Sequence, residues 1–134
     1  MLPSMITVSV TPSLGERVFA LNRWPDVQTL KIGDVVRFPF TDAVTGGQTV
    51  HFLKRVGCLP GQHLLVDQNK DYYCDGKYLG RAKGHNLKGE PVSNFVYDGP
   101  VPQSMFFAVA SHKDSYDSRY YGFVDLRRIT EKAY

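Results

Sequence analysis

Short apolar or alternating runs recur along this chain, each closed by a glycine or proline turn, and almost nothing in it carries helical periodicity. That pattern narrows the fold more than any other feature. The runs are Thr7–Val10, Arg17–Leu21, Val35–Phe40, Val50–Val56, Leu64–Asp67, Tyr72–Asp75, Phe95–Asp98, Met105–Ser111 and Gly122–Asp125. Between them lie Ile32-Gly33-Asp34, Thr45-Gly46-Gly47, Leu59-Pro60-Gly61, Asp75-Gly76 and Gly99-Pro100, which supply positive backbone torsions or a fixed proline angle. The expectation is a mainly β chain with few or no helices. One helical turn fits Ser115–Tyr121, and Leu79–Val92, rich in glycine and cations, reads as a surface excursion. At 134 residues the whole chain, 1–134, suits a single domain.

Composition excludes several classes. With 43% hydrophobic and 22% charged residues the chain is neither disordered, collagen-like nor a coiled coil. Its 16 Lys+Arg against 13 Asp+Glu are dispersed rather than gathered into a basic block, so no nucleic-acid partner is expected. The longest uncharged stretch, Met1–Gly15, is broken by Pro3, Ser4, Thr7, Ser9, Thr11 and Pro12, short of the roughly 18 apolar residues of a span. No export leader is recognisable. The chain is therefore expected to be cytosolic, or else to have a leader or anchor outside this sequence. His51, His63, His85 and His112 show no metal-ligand spacing, and Gly46-Gly47 is an isolated turn rather than a phosphate-cradling loop. No cofactor and no metal are expected.

Cys58 and Cys74 are too few for a disulfide scaffold and belong to no zinc or Cys-x-x-Cys spacing. Gly61–Tyr73 reads as two short strands around Asp67-Gln68-Asn69-Lys70, which brings the chain back alongside itself. Two readings stand. The thiols pair if the compartment is oxidising, or they are buried and never meet, because sequence does not fix strand register.

Three segments carry chemistry. The turn Gly33-Asp34-Val35-Val36-Arg37-Phe38 delivers the chain into an apolar strand. In Lys54-Arg55-Val56-Gly57-Cys58-Leu59-Pro60-Gly61, a lysine lies near the end of a strand before a tight turn. Alternation puts Phe52, Lys54 and Val56 on one face and Leu53 and Arg55 on the other. A lysine on an apolar face is unusual. It is either an edge-strand cation whose stem lies on apolar surface, or a desolvated amine whose pKa falls from about 10.4 and which can act as a general base. The third segment runs from Phe106 to Val124: an apolar strand enters a polar loop dense with hydroxyl, carboxylate and guanidinium groups, then returns to strand after Gly122. It is either an active-site wall or a capped surface loop with an exposed Asp117–Arg119 pair.

In order, these segments resemble the type I signal peptidase family. The first is similar to its Gly-Asp-Ile/Val-Val-x-Phe box and the second to its Lys-Arg-Val-x-Gly-x-Pro-Gly box. Ser115-Tyr116-Asp117-Ser118-Arg119-Tyr120-Tyr121-Gly122 is similar to its Ser-x-Asp-Ser-Arg box. The resemblance covers about Thr11 to Val124. The short insert between the second and third boxes and Ser111 ahead of the loop look most like the TraF-type peptidases of conjugative transfer. What the resemblance implies is a signal-peptidase/LexA-like fold of coiled antiparallel β-sheets, carrying a serine nucleophile and a lysine general base. It also implies an upstream membrane anchor absent from this chain, and a catalytic domain at the periplasmic face of the bacterial inner membrane. That oxidising compartment suits a Cys58–Cys74 bridge.

Carried onto this sequence, the family pattern makes Ser13, in Thr11-Pro12-Ser13-Leu14-Gly15, the nucleophile and Lys54 its base. This box departs from the family pattern, where proline commonly follows within a residue or two of the apolar residue; here Gly15 follows Leu14. Ser9 and Thr11 are the rival hydroxyls. A serine hydroxyl attacks an amide only with a base within about 3 Å, and a lysine serves only when neutral and aimed. By resemblance Ser115 orients the amine, Asp117 and Arg119 support the loop, and the Ser13 backbone N–H with the Thr11 hydroxyl forms the oxyanion hole.

The implied partner is an exported precursor bound as an added strand, with small residues before the scissile bond. In the conjugative branch that precursor is a pilin of a type IV secretion system, and its maturation in some members includes cyclisation. Leu2, Met5, Ile6, Val8 and Val10 are candidates for contact with the bilayer surface or for strand burial. Alternatives are a housekeeping signal peptidase removing leader peptides and a non-catalytic peptide-binding relative. A LexA-type self-cleaving regulator needs a helix-turn-helix and an Ala-Gly or Cys-Gly bond ahead of the serine, and the sequence offers neither.

Overall fold

The computed structural model describes residues 30–110 and 116–133, and the backbone of 7–10 and 20–23. Among the described residues there are eleven strands: β1 Thr7–Val10, β2 Ala20–Arg23, β3 Val35–Phe40, β4 Val50–Cys58, β5 His63–Val66, β6 Asp71–Cys74, β7 Lys77–Arg81, β8 Asp98–Pro100, β9 Met105–Val109, β10 Val124–Asp125 and β11 Glu131–Ala133. A helical turn, α1 Ser118–Tyr121, lies between β9 and β10, and a single 3-10 turn, Leu126–Arg128, follows β10. The strands form a seven-stranded sheet in the order β1-β2-β11-β3-β4-β9-β10 and a four-stranded sheet in the order β7-β6-β5-β8, with antiparallel pairing throughout. The expected mainly β architecture with almost no helix is what forms.

Two cores lie beneath these sheets. Val36, Phe38, Val56, Phe106 and Ala108 build the first, and Cys58, Leu64, Tyr72, Val101 and Phe107 the second. Phe106 and Phe107 are neighbours on β9, so the two-residue period of a strand sends one ring into each core. On β4, Val56 and Cys58 should share a face by the same period, yet they enter different cores. The cause is a register shift at Gly57: Val56 pairs with Ala108 and Cys58 with Phe107. A Cβ on Gly57 would stand 2.7 Å from Val109 Cγ1, so only glycine fits where the strands approach.

Most expected runs are strands with ends shifted by a residue or two, and the differences have causes. β2 occupies Ala20–Arg23 rather than Arg17–Leu21, whose residues 17–19 lie outside the described part. The run Phe95–Asp98 does not form a strand over its length, because the Phe95 N–H donates to the Arg119 carbonyl instead of a ladder; β8 begins only at Asp98. The excursion placed from Leu79 starts later, since β7 returns against β6 through Asp75-Gly76, where both residues have positive φ (49° and 83°). β11 was invisible in Glu131-Lys132 because its charges look exposed. In the fold it fills the gap between β2 and β3, and buried Lys132 meets Asp34 at 3.3 Å.

Candidate active site

Lys54 stands on β4 opposite Val36 of β3, with Phe52 and Val56 on its own face and the half-exposed Leu53 and Arg55 on the other. Its Nζ lies 4.7 Å from the centre of the Phe52 ring. Phe52 stacks on Phe40 (5.0 Å) and Tyr121 (6.1 Å), and Tyr121 meets Phe40 at 4.3 Å and Tyr116 at 5.1 Å. The amine therefore borders an aromatic wall. Burial lowers the Lys54 pKa from its ordinary value; Asp117 opposes that shift and Arg119 adds to it. β4 lies between β3 and β9, so Lys54 is not on a sheet edge, and its side chain is partly buried. Burial also pushes the Tyr121 phenol above its usual range.

The loop behind Lys54 is held by a buried ion pair. Asp117 and Arg119 meet at 2.8 Å with 1% and 4% of their side chains exposed, which sets aside the reading of an exposed surface pair. The Asp117 carboxylate accepts from the Arg119 backbone N–H, from Arg119 Nε and from the Ala110 N–H, so it caps α1 and ties that turn to the end of β9. Arg55 pairs with Val109, and continuing that antiparallel register puts Ala110 beside Lys54. Ser118 Oγ accepts from the Ala108 N–H, a second tie to β9. Arg119 Nη1 donates to the Arg81 carbonyl, and its own carbonyl accepts from the buried Tyr72 hydroxyl at 2.8 Å.

Lys54, Asp117 and Arg119 are thus brought together. Ser13, Thr11, Ser115 and His112 lie outside the described residues, and of Ser9 only the backbone, in β1, is described. Cys58 and Cys74 are joined in a disulfide with Cα atoms 5.6 Å apart, so the paired reading is the one the fold adopts. Sequence reasoning did not single out Phe40, Tyr116 and Tyr121 as the wall beside the amine, or Tyr72 as a clamp on the loop. The density of tyrosines in Tyr116–Tyr121 was the available signal. Among the described residues no group of three His, Cys, Asp or Glu side chains could hold a metal, and His63 instead meets Asp98 at 2.6 Å.

The described residues thus form an antiparallel β scaffold with a partly buried lysine on β4 and a buried carboxylate–guanidinium pair in the loop that follows β9. Residues 3–134 match the family described as signal peptidase, peptidase S26. The chain belongs to that family. It is also 31% identical over 107 residues to the probable signal peptidase I-2 of Synechocystis sp., an alignment covering 76% of this chain and 45% of that protein. The chain thus spans about half the length of this curated relative. No helix among the described residues is long and apolar enough to cross a membrane.

Proposed function

We propose that this chain is a serine endopeptidase in which Lys54 accepts the proton of the Ser13 hydroxyl as that oxygen attacks a peptide carbonyl. The observation that carries the reading is the position of the Lys54 amine, partly buried against the Phe52 ring with its pKa lowered. A neutral amine at physiological pH is what a serine needs from a lysine base. On this reading Ser115 aims the amine, and the Asp117–Arg119 pair fixes the loop that carries Ser115. The Ser13 N–H and the Thr11 hydroxyl receive the oxyanion, each donor lowering the barrier by about 3–4 kcal/mol. Protonated Lys54 then returns its proton to the leaving amine, and water releases the acyl group by the same route.

The substrate is an exported precursor cleaved after small residues at the outer face of the inner membrane. Within that class, the short insert between the second and third boxes favours the TraF-type branch, whose substrate is a pilin precursor of a conjugative type IV secretion system, with ring closure as an added step. A second reading, removal of leader peptides from many precursors, is favoured by the name of the Synechocystis relative. Co-expression with a pilin precursor and with a leader-bearing reporter separates the two by gel shift. Ser13→Ala and Lys54→Ala should each abolish processing while remaining folded. Unchanged processing by Ser13→Ala moves the nucleophile to Ser9 or Thr11.

A further inference from the structure

The turn α1 cannot hold its own place. It is four residues long, whereas an isolated helix needs about 12–15 residues before it is even marginally stable in water. Its position relative to Lys54 is therefore set by what grips it from outside. On the side of the seven-stranded sheet, Ser118 and Asp117 accept from the Ala108 and Ala110 N–H groups at the end of β9. On the other side, the four-stranded sheet holds Arg119 at both ends. Arg119 Nη1 donates to the Arg81 carbonyl of β7 at 2.7 Å, and the Tyr72 hydroxyl of β6 donates to the Arg119 carbonyl at 2.8 Å.

Tyr72 is itself held firmly at that contact. The residue is wholly buried, and its ring stacks on Phe107 of β9 with centres 5.6 Å apart. Cys74, two residues on and therefore on the same face of β6, is bridged to Cys58 of β4. Asn94 Nδ2 donates to the Tyr72 oxygen at 3.0 Å, which fills a lone pair and leaves the single hydroxyl proton to the carbonyls of Arg119 and Phe95. The Phe95 N–H closes the circuit by donating to the same Arg119 carbonyl at 2.8 Å. Burial pushes the Tyr72 phenol up to about 12, so it remains a donor at physiological pH.

From Arg119 two short routes lead to Lys54. Arg119 Nε meets Asp117 at 2.8 Å, and Asp117 accepts from the Ala110 N–H beside Lys54. Two residues beyond Arg119, Tyr121 packs on Phe40 and Phe52, and the Phe52 ring borders the amine. Among the described residues the charges that bear on Lys54 are Asp117 and Arg119, and burial is a larger influence than either. A turn released at the Arg119 carbonyl therefore wets the amine and favours its charged form.

We propose that Tyr72 is a positioning residue for the peptidase reaction: its hydroxyl, oriented by Asn94, anchors α1 to the four-stranded sheet and so fixes the surroundings of the Lys54 amine. This rests on the peptidase reading above, and the amine is therefore observed directly as well as through cleavage. Titration of the lysine ε-carbon resonances by NMR, with Lys54 assigned by its loss in Lys54→Met, gives the midpoint of the amine without any substrate. In Tyr72→Phe, which keeps the stacked ring and removes only the hydroxyl, that midpoint should rise. On a fluorogenic peptide with Ala-x-Ala ahead of the scissile bond, kcat should fall by about tenfold with KM unchanged. Val101→Ala opens a cavity in the same core through a side chain that takes part in none of these bonds, and should lose stability while midpoint and kcat stay in place.

A Lys54 midpoint that fails to rise in Tyr72→Phe, or that rises as far in Val101→Ala, overturns the proposal. So does an unchanged kcat in a chain that cuts the peptide. If Tyr72→Phe does not fold, Asn94→Leu decides by the same titration, since it removes the donor that orients the hydroxyl and leaves the ring alone. A raised midpoint with no peptide cut by the unaltered chain supports the anchor and counts against the peptidase reading alone.

Discussion

Lys54 Nζ lies 4.7 Å from the centre of the Phe52 ring, two residues back along the same strand and therefore on the same face. Two effects meet in that contact. The ring keeps water from the amine, which favours its neutral form, while the ring face attracts an ammonium, which favours the charged one. Burial wins, and the net shift is downward.

The rate of peptide cleavage should therefore rise with pH along an acid limb set by Lys54, with its midpoint below the usual lysine value of about 10.4. Phe52→Ala wets the amine and should move that midpoint to higher pH. A profile of kcat/KM against pH on both proteins checks this, and an unmoved midpoint would remove Phe52 from the account.

Lys54 also bears on stability. Because its folded pKa lies below the unfolded one, the unfolded chain binds more protons between the two values, and stability attributable to this group rises with pH across that window. Below the window the buried charge is a constant cost. Lys54→Met should thus be inactive yet at least as stable as the native chain near neutrality, with its advantage shrinking as pH climbs toward 10.4. Urea unfolding at a series of pH values tests the sign.

Arg119→Ala leaves the Asp117 carboxylate buried with one fewer charged partner, and Asp117→Ala takes from the buried Arg119 guanidinium the carboxylate at 2.8 Å. Each should cost about 3–5 kcal/mol, and the double variant less than their sum, because the two changes remove one shared interaction. The Asp117 change should also loosen the tie to Ala110 beside Lys54, lowering kcat more than it raises KM.

The Cys58–Cys74 bridge joins residues 16 apart, and its loss through Cys58→Ser/Cys74→Ser should cost about 3 kcal/mol. Gly57→Ala should cost about 1–3 kcal/mol through contact with Val109 and should slow disulfide formation, since the register shift at Gly57 is what turns Cys58 toward Cys74. Free-thiol titration during oxidative refolding follows both effects.

The strand-by-strand reading of this chain came from local physics. β3 starts and stops where Val35–Phe40 was read, and Lys54 sits on the face that alternation assigned, because turn chemistry and the two-residue period operate within a few residues. The three boxes also led to the family without any structure. Other features depended on residues far apart in sequence. β11 became a strand only because β2 and β3 offer it a slot, and the Asp117–Arg119 pair proved buried only once Arg81, Ala110 and Tyr72 closed around it. One displaced residue at Gly57 sent Cys58 into the second core. Pairing across strands depends on long-range register, which the local sequence does not encode and only the packed sheet decides.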